Sequence, residues 1–211
     1  RGALGSGIKN PTQTQLFGYN AAAFPFVGNP NLKPERSQGW EAGADWSLSQ
    51  GKARLGATWF DSTLHDEIYG VFGAPIALCA RPGLPVPTSC STTGNQSTKS
   101  TQKGLELFAN AALSDSVSAD VAYTWLEARQ NGVEEIRRPP HIASANLTWR
   151  APGDRGSATL TVRYNADMTD SDFSAFPART VTLRAFTLVN LAGAWRLNPK
   201  IELFGRIENL A

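Results

Sequence analysis

Apolar and polar residues alternate along almost the whole chain, which is the period of a strand with two unlike faces. In Ile201 to Glu208 the set Ile201, Leu203, Gly205, Ile207 opposes Glu202, Phe204, Arg206, Glu208. Ala158, Leu160, Val162, Tyr164 oppose Thr159, Thr161, Arg163, Asn165, and Val117, Ala119, Val121, Tyr123, Trp125 oppose Ser118, Asp120, Ala122, Thr124. No segment repeats its apolar residues at helical spacing over a comparable run. Read with its punctuation, the pattern predicts about nine strands of the ~9–11 residues that a tilted membrane strand needs. They run from Arg1 to Lys9, Gln38 to Ser49, Lys52 to Leu64, Gln102 to Leu113, Val117 to Ala128, His141 to Ala151, Ser157 to Asp167, Arg184 to Leu197 and Lys200 to Leu210.

The connections alternate in length. Ser49-Gln50-Gly51, Ser114-Asp115-Ser116, Pro152-Gly153-Asp154-Arg155-Gly156 and Asn198-Pro199 are tight turns of fitting residue types. Those from Asn10 to Ser37, Asp66 to Thr101, Arg129 to Pro140 and Met168 to Leu183 are long. Such alternation marks an up-and-down barrel wall with one turn side and one loop side. The tryptophans agree: Trp46, Trp149 and Trp195 fall near the turn ends, Trp40, Trp59 and Trp125 toward the loop ends. Two aromatic belts on an apolar face match the girdles of an outer-membrane barrel. A soluble β-sandwich, adhesin-like, is the competing reading and puts Trp46, Trp149 and Trp195 in a core.

Composition narrows this further. With 211 residues and 41% hydrophobic content the chain is expected to fold, and its 18% charge lies below the ~25% of soluble domains. No stretch approaches the ~18 consecutive apolar residues of a spanning helix. A net charge of +2 without a Lys/Arg cluster gives no reason to expect nucleic-acid binding. No secretory leader opens the sequence, so Arg1 reads as an interior residue of a longer protein.

Asn29-Pro30-Asn31-Leu32-Lys33-Pro34-Glu35-Arg36-Ser37, preceded by Gly5-Ser6-Gly7-Ile8-Lys9-Asn10-Pro11-Thr12 and Gln15-Leu16-Phe17, resembles the TonB-dependent outer-membrane receptors. Ile8 stands where Phe or Tyr is usual in that family, and Asn10 where Ala is. The resemblance continues through Gln102-Lys103-Gly104-Leu105-Glu106-Leu107, Arg137-Arg138-Pro139-Pro140-His141 and Arg206-Ile207-Glu208-Asn209-Leu210, hence over essentially the whole chain. Asp170 to Val181, followed by Phe186-Thr187-Leu188-Val189-Asn190-Leu191, looks most like the cobalamin receptors. The resemblance implies an all-β fold: a partial transmembrane antiparallel β-barrel, about nine up-and-down strands of a ~22-stranded wall. Residues 1–211 would then be the C-terminal portion of the barrel domain, without its plug and final strand. The implied function is active import of a large scarce nutrient across the bacterial outer membrane, cobalamin first and ferric siderophore or haem second. The implied partners are outer-membrane lipid, the TonB complex reached through the plug, and the cobalamin or ferric chelate itself. A passive porin is the alternative among membrane barrels.

Catalytic patterns are weak. His65 and His141 sit in no HExxH pattern and beside no nucleophile motif, so no enzyme and no cofactor is expected. His141 reads as an interfacial structural residue, His65 as a partner for nearby carboxylates or for a ligand. Gly2, Gly5 and Gly7 precede no helix that would hold a phosphate. Asp167, Asp170 and Asp172 could supply oxygens to calcium but lack the other ligands of a known loop, and no metal is expected. Cys79 and Cys90, inside the longest loop of an envelope protein, are expected to form a disulfide. Candidate ligand-binding residues lie on the long-loop side: Phe24, Phe26, Tyr69, Phe72, Phe173, Phe176 and Arg179. Large rings beside donors suit a bulky amphipathic chelate, and ordinary loop packing is the other reading for each. Glu106, Asp120, Arg163, Glu202, Arg206 and Glu208 are expected to line the lumen.

Overall fold

A computed structural model describes residues 1–20, 25–80, 82–83, 89–174 and 177–210. In chain order the elements are β1 (Gly2–Lys9), α1 (Gln13–Phe17), β2 (Tyr19–Asn20), β3 (Phe26–Val27), β4 (Glu35–Leu48), β5 (Ala53–His65), β6 (Ile68–Ala74) and α2 (Ile76–Cys79). There follow β7 (Cys90–Asn95), β8 (Ser100–Ala112), β9 (Val117–Gln130), β10 (Val133–Glu134), β11 (His141–Arg150) and β12 (Gly156–Asn165). Last come β13 (Met168–Asp172), β14 (Arg179–Leu183), β15 (Phe186–Asn198) and β16 (Ile201–Ile207).

The wall is one sheet ordered β1-β4-β5-β8-β9-β11-β12-β15-β16, each strand antiparallel to its neighbour, with β10 added beside β9. These nine strands are the nine expected ones, and their ends differ from the expected ends by three residues or fewer. The short connections behave as their residues dictate. Ser49, Gln50 and Gly51 all take positive φ, at 51°, 57° and 89°, a tight reversal that only a glycine enters without strain at its last position. Ser114 folds its hydroxyl back to accept from the Ser116 N–H, and Asn198 does the same for Lys200.

Register sorts the side chains. Leu48, Ala53, Ala111, Ala119, Leu147, Leu160, Leu191 and Ile207 are successive cross-strand neighbours and form one outward rung. Next to it run Trp46, Leu55, Ala109, Val121, Ala145, Val162 and Val189. The opposite face carries Arg54, Asn110, Asp120, Asn146, Thr161 and Asn190 in register. Asn110 donates to Asp120 at 2.7 Å and Thr161 to Asn146 at 2.7 Å, so polar groups satisfy one another across strands. Glu106, Asp120, Arg163, Glu202 and Arg206 all belong to this polar face.

Trp46, Trp149 and Trp195 are 50%, 41% and 44% exposed, which a sandwich core would not leave. Among the described residues no protein layer covers their face. The strand order is that of part of a barrel wall: β1 and β16 are both free edges and the sheet does not close. At ~4.8 Å per strand, nine strands span less than half the circumference of a ~22-stranded wall, so the arc stays open. Among the described residues the buried apolar core is small, and it sits in the loops, where Val27, Ala74, Cys79 and Cys90 pack together.

Candidate functional site: the loop end of the wall

The long connections fold into two structures of their own. The first is a four-stranded sheet ordered β2-β3-β7-β6, in which β3 and β7 run parallel through Phe26 and Ser91. Thr92 donates its hydroxyl to the Val27 carbonyl at 2.6 Å, and the Ser91 N–H reaches the Pro25 carbonyl at 2.8 Å. A disulfide joins Cys79 to Cys90, with Cα atoms 5.9 Å apart and both residues buried. Closing a loop of that length removes about 3 kcal/mol of chain entropy from the unfolded state.

The Asn29 to Glu35 segment fastens this sheet to the wall. Asn29 donates its amide to the Thr93 carbonyl at 2.9 Å, and the Lys33 N–H donates to Asn95 Oδ1 at 2.8 Å. Asn95 returns its own amide to the carbonyls of Lys33 and Asp66. Glu35, only 7% exposed, accepts from the Ile68 N–H at 2.9 Å and from Lys9 Nζ at 3.0 Å. The motif that carried the family resemblance is therefore a brace between two loops about 60 residues apart in sequence.

The second structure is the hairpin β13–β14, tied to the preceding long connection. The Arg137 N–H donates to the Thr169 carbonyl at 2.8 Å and its Nε to Asp170 at 2.8 Å. The Ser171 N–H first, and then Arg137, hold the Asp170 carboxyl below its ordinary range. The N–H and hydroxyl of Ser174 do the same for Asp172. Asp167 accepts from the Ala185 N–H. All three aspartates considered for calcium are thus committed to local donors, and among the described residues no group of three or more His, Cys, Asp or Glu converges. A carboxyl with a lowered folded pKa contributes its full ordering above the ordinary aspartate pKa and loses it as pH falls through the lowered value. The tie between the two loops is therefore expected to survive acidification to about pH 4 and to open below it; hydrogen exchange of the Arg137 amide against pH checks this.

On the polar face at the loop end of β4, β5, β8 and β9 lies a cleft of about 650 Å³. Glu67, Gln102, Gln130, Glu135 and Arg138 shape it. Gln130 and Ser100 both donate to Glu67, at 2.9 and 2.7 Å. Gln102 and Arg138 both donate to Glu135, at 3.3 and 3.2 Å. Two carboxylates, each held by an amide or hydroxyl, and one guanidinium can offer acceptors and donors to a polar ligand of chelate size.

The expected binding residues are not gathered there. Phe26 is half-buried in β3, while Tyr69 and Phe72 stand exposed on β6. Phe173 is exposed just beyond β13, and Arg179 opens β14 opposite Asp172. None of these five lines the cleft. Phe24 and Phe176 lie outside the described residues. His141, opposite Trp125 in the β9–β11 register, shares a 2.8 Å hydrogen bond with the Tyr123 hydroxyl. The cleft residues escaped the sequence reading because no motif marks them. The available signal was the polar face of β8 and β9 continuing past Glu106 and Thr124 through Gln102 and Gln130.

The two aromatic belts are real in space. Trp59 and Trp125 are 5.6 Å apart by ring centroid at the loop end, and Trp149 and Trp195 are 6.5 Å apart at the turn end. From Val117 to Trp125 the wall rises ~26 Å along the strand, or ~20 Å at the usual ~40° tilt, close to the ~25 Å apolar band of an outer-membrane wall.

Comparison with known proteins places this geometry. Residues 1–210 match the family described as TonB dependent receptor-like, beta-barrel. A vitamin B12 transporter, BtuB, of Photobacterium profundum is 28% identical over 215 residues, covering 98% of this chain and 30% of that protein. A mutant of the ferric enterobactin receptor PfeA of Pseudomonas aeruginosa superposes with a TM-score of 0.76 at 20% identity, covering 99% of this chain and 32% of that one. The P. aeruginosa receptor FpvA, bound to a heterologous pyoverdine and iron, gives 0.71 at 14% identity, over 99% and 26%. The chain spans about a third or less of the length of these relatives. With its strand order, its outward apolar band and its family match over residues 1–210, the chain belongs to the β-barrel domain of the TonB-dependent outer-membrane receptors.

Proposed function

We propose that this chain forms nine consecutive wall strands and the outer loops of a TonB-energised receptor that imports a bulky metal chelate across the outer membrane. The observation that carries this is the pairing of faces: an outward apolar band between two tryptophan belts, and a polar inner face that opens into the Glu67–Gln102–Gln130–Glu135–Arg138 cleft at the loop end. The plug, the TonB contact and the closing strand belong to the rest of the receptor. The ligand is captured by loops and cleft, and it passes inward when the plug is pulled. No bond is made or broken in it, so the receptor is a transporter and not an enzyme.

The similar proteins named above are a vitamin B12 transporter, a ferric enterobactin receptor and a receptor bound to a pyoverdine–iron complex, which supports metal chelates as the substrate class, ferric siderophores and cobalamin both included. Phe26, Tyr69, Phe72, Phe173 and Arg179, with Phe24 and Phe176, would make the first contacts from the loops, and the cleft would take the chelate next. Calorimetric titration of the purified full receptor with ferric siderophores and with cobalamin tests the class, and tight binding of one of them is the expected result. Uptake that persists after the proton gradient is collapsed would point to a passive porin instead. Arg138→Ala removes a charge-assisted donor from the cleft and is expected to weaken chelate binding about tenfold. The variant's heat-modifiable mobility on gels should stay that of the parent.

A further inference from the structure

The outward face does not end at the aromatic belt. Above the rung Trp59–Leu105–Trp125 the same face carries Trp40, Asp61, Lys103 and Glu127 in register. Above that come Gln38, Thr63, Thr101 and Arg129, and then Arg36 opposite His65. Lys103 and Arg129 share Glu127, at 3.3 and 2.9 Å, and so offset that carboxylate. The Arg36 and Lys99 side chains make no ion pair or hydrogen bond with any described residue. Lys99 and His65 border a groove of about 640 Å³ that is also lined by Leu4, Trp40, Gln38 and Thr63.

This groove is apolar where it joins the band and cationic and hydrogen-bonding one to two rungs higher. A rung of two residues rises ~6.6 Å along a strand, so the step from indole to cation matches the step from acyl chain to head group. A cation left without a protein partner at that level has one complement in a bilayer, the phosphate of a lipid. The groove is also continuous with the apolar band, which fixes the direction of the tails.

We propose that Arg36, Lys99 and His65 bind the phosphate of an outer-leaflet membrane lipid, whose acyl chains descend over Trp40 and Leu4. Gln38 and Thr63 donate or accept to the remaining head-group oxygens. Asp61, on the Trp40 rung, faces the groove below the cations and sets the lower limit of the phosphate position. The proposal rests on the membrane reading of the apolar band, and the test separates the two.

The full receptor carrying a photo-crosslinking benzoylphenylalanine at Gln38 is reconstituted in phosphatidylcholine vesicles with a minor fraction of phosphatidic acid, irradiated, and its lipid adducts weighed by mass spectrometry. Phosphatidic acid adducts are expected to exceed that lipid's share of the bilayer by about fivefold. In the Arg36→Gln, Lys99→Gln variant the excess should vanish while lipid adducts as such persist. Adducts in proportion to bilayer composition in the parent would overturn the proposal and leave the membrane reading standing. Absence of any lipid adduct would overturn both. Loss of the excess on adding inorganic phosphate would assign the site to free phosphate instead.

Discussion

Gly104→Ala in the full receptor is expected to destabilise the wall by about 2 kcal/mol, and Gly104→Val by about 3 or more. A Cβ at Gly104 would stand 2.3 Å from the Trp125 carbonyl oxygen and 2.6 Å from the Phe60 ring. The carbonyl belongs to the strand that Gly104 pairs with, so relief requires the β8–β9 ladder to separate. The ring is no accident either: Phe60 is the direct cross-strand partner of Gly104 and lies over it. The same arrangement recurs where Phe108 covers Gly56 and where Trp195 covers Gly156. In each, an aromatic ring replaces the side-chain contacts a glycine cannot make and shields backbone in a sheet that must bend. Equilibrium unfolding in guanidinium of the receptor in vesicles reads the effect. Gly70→Ala is the control, because a Cβ there meets nothing nearer than 3.6 Å, and its change should stay within about 0.5 kcal/mol. Equal effects at the two positions would mean that strand entropy, and not the Phe60 clasp, sets the cost.

How far the sequence could be read follows from where each element gets its stability. The nine wall strands are legible because a lipid-facing and a water-facing side enforce period two over 7 to 14 residues, and turn residues such as Ser49-Gln50-Gly51 punctuate it. The loop sheet is not legible for the opposite reason. Tyr19–Asn20 and Phe26–Val27 are two-residue strands with no period to detect, and Cys90–Asn95 reads as a polar loop. They exist because Phe26 pairs with Ser91, 65 residues on, a partnership that local propensity cannot announce. The loop candidates suffered likewise. Large aromatics were easy to single out by type, yet Tyr69 and Phe72 end up on one structure and Phe173 and Arg179 on another. Glu67 and Glu135 become a site only because Gln130 and Gln102, on neighbouring strands, reach them.

Glu35→Ala is expected to cost the loop end about 3 kcal/mol and to weaken chelate capture, although the residue touches no ligand site. Its carboxylate is buried and accepts from the Ile68 N–H, the first residue of β6, and from Lys9. Which of the two bonds matters can be decided beforehand. The Lys9 side chain is 65% exposed, so solvent screens that pair to a small value, while the Ile68 amide loses its only described acceptor on the side chain of a braced loop. Glu35→Gln keeps an oxygen for Ile68 and gives up only the charge, so it should cost about 1 kcal/mol. Hydrogen exchange of the Ile68 to Asn95 amides in the full receptor measures both. The disulfide restrains the same segment from its far side, since it ties Cys79, at the end of α2, to Cys90, the first residue of β7. If brace and disulfide order one cooperative unit, Glu35→Ala combined with Cys79→Ser and Cys90→Ser must cost less than the sum of the separate changes, because a loop already released cannot be released again. Strict additivity would show instead that the wall end and the tip of this loop are ordered independently, and would confine the influence of Glu35 on the chelate to the inner cleft.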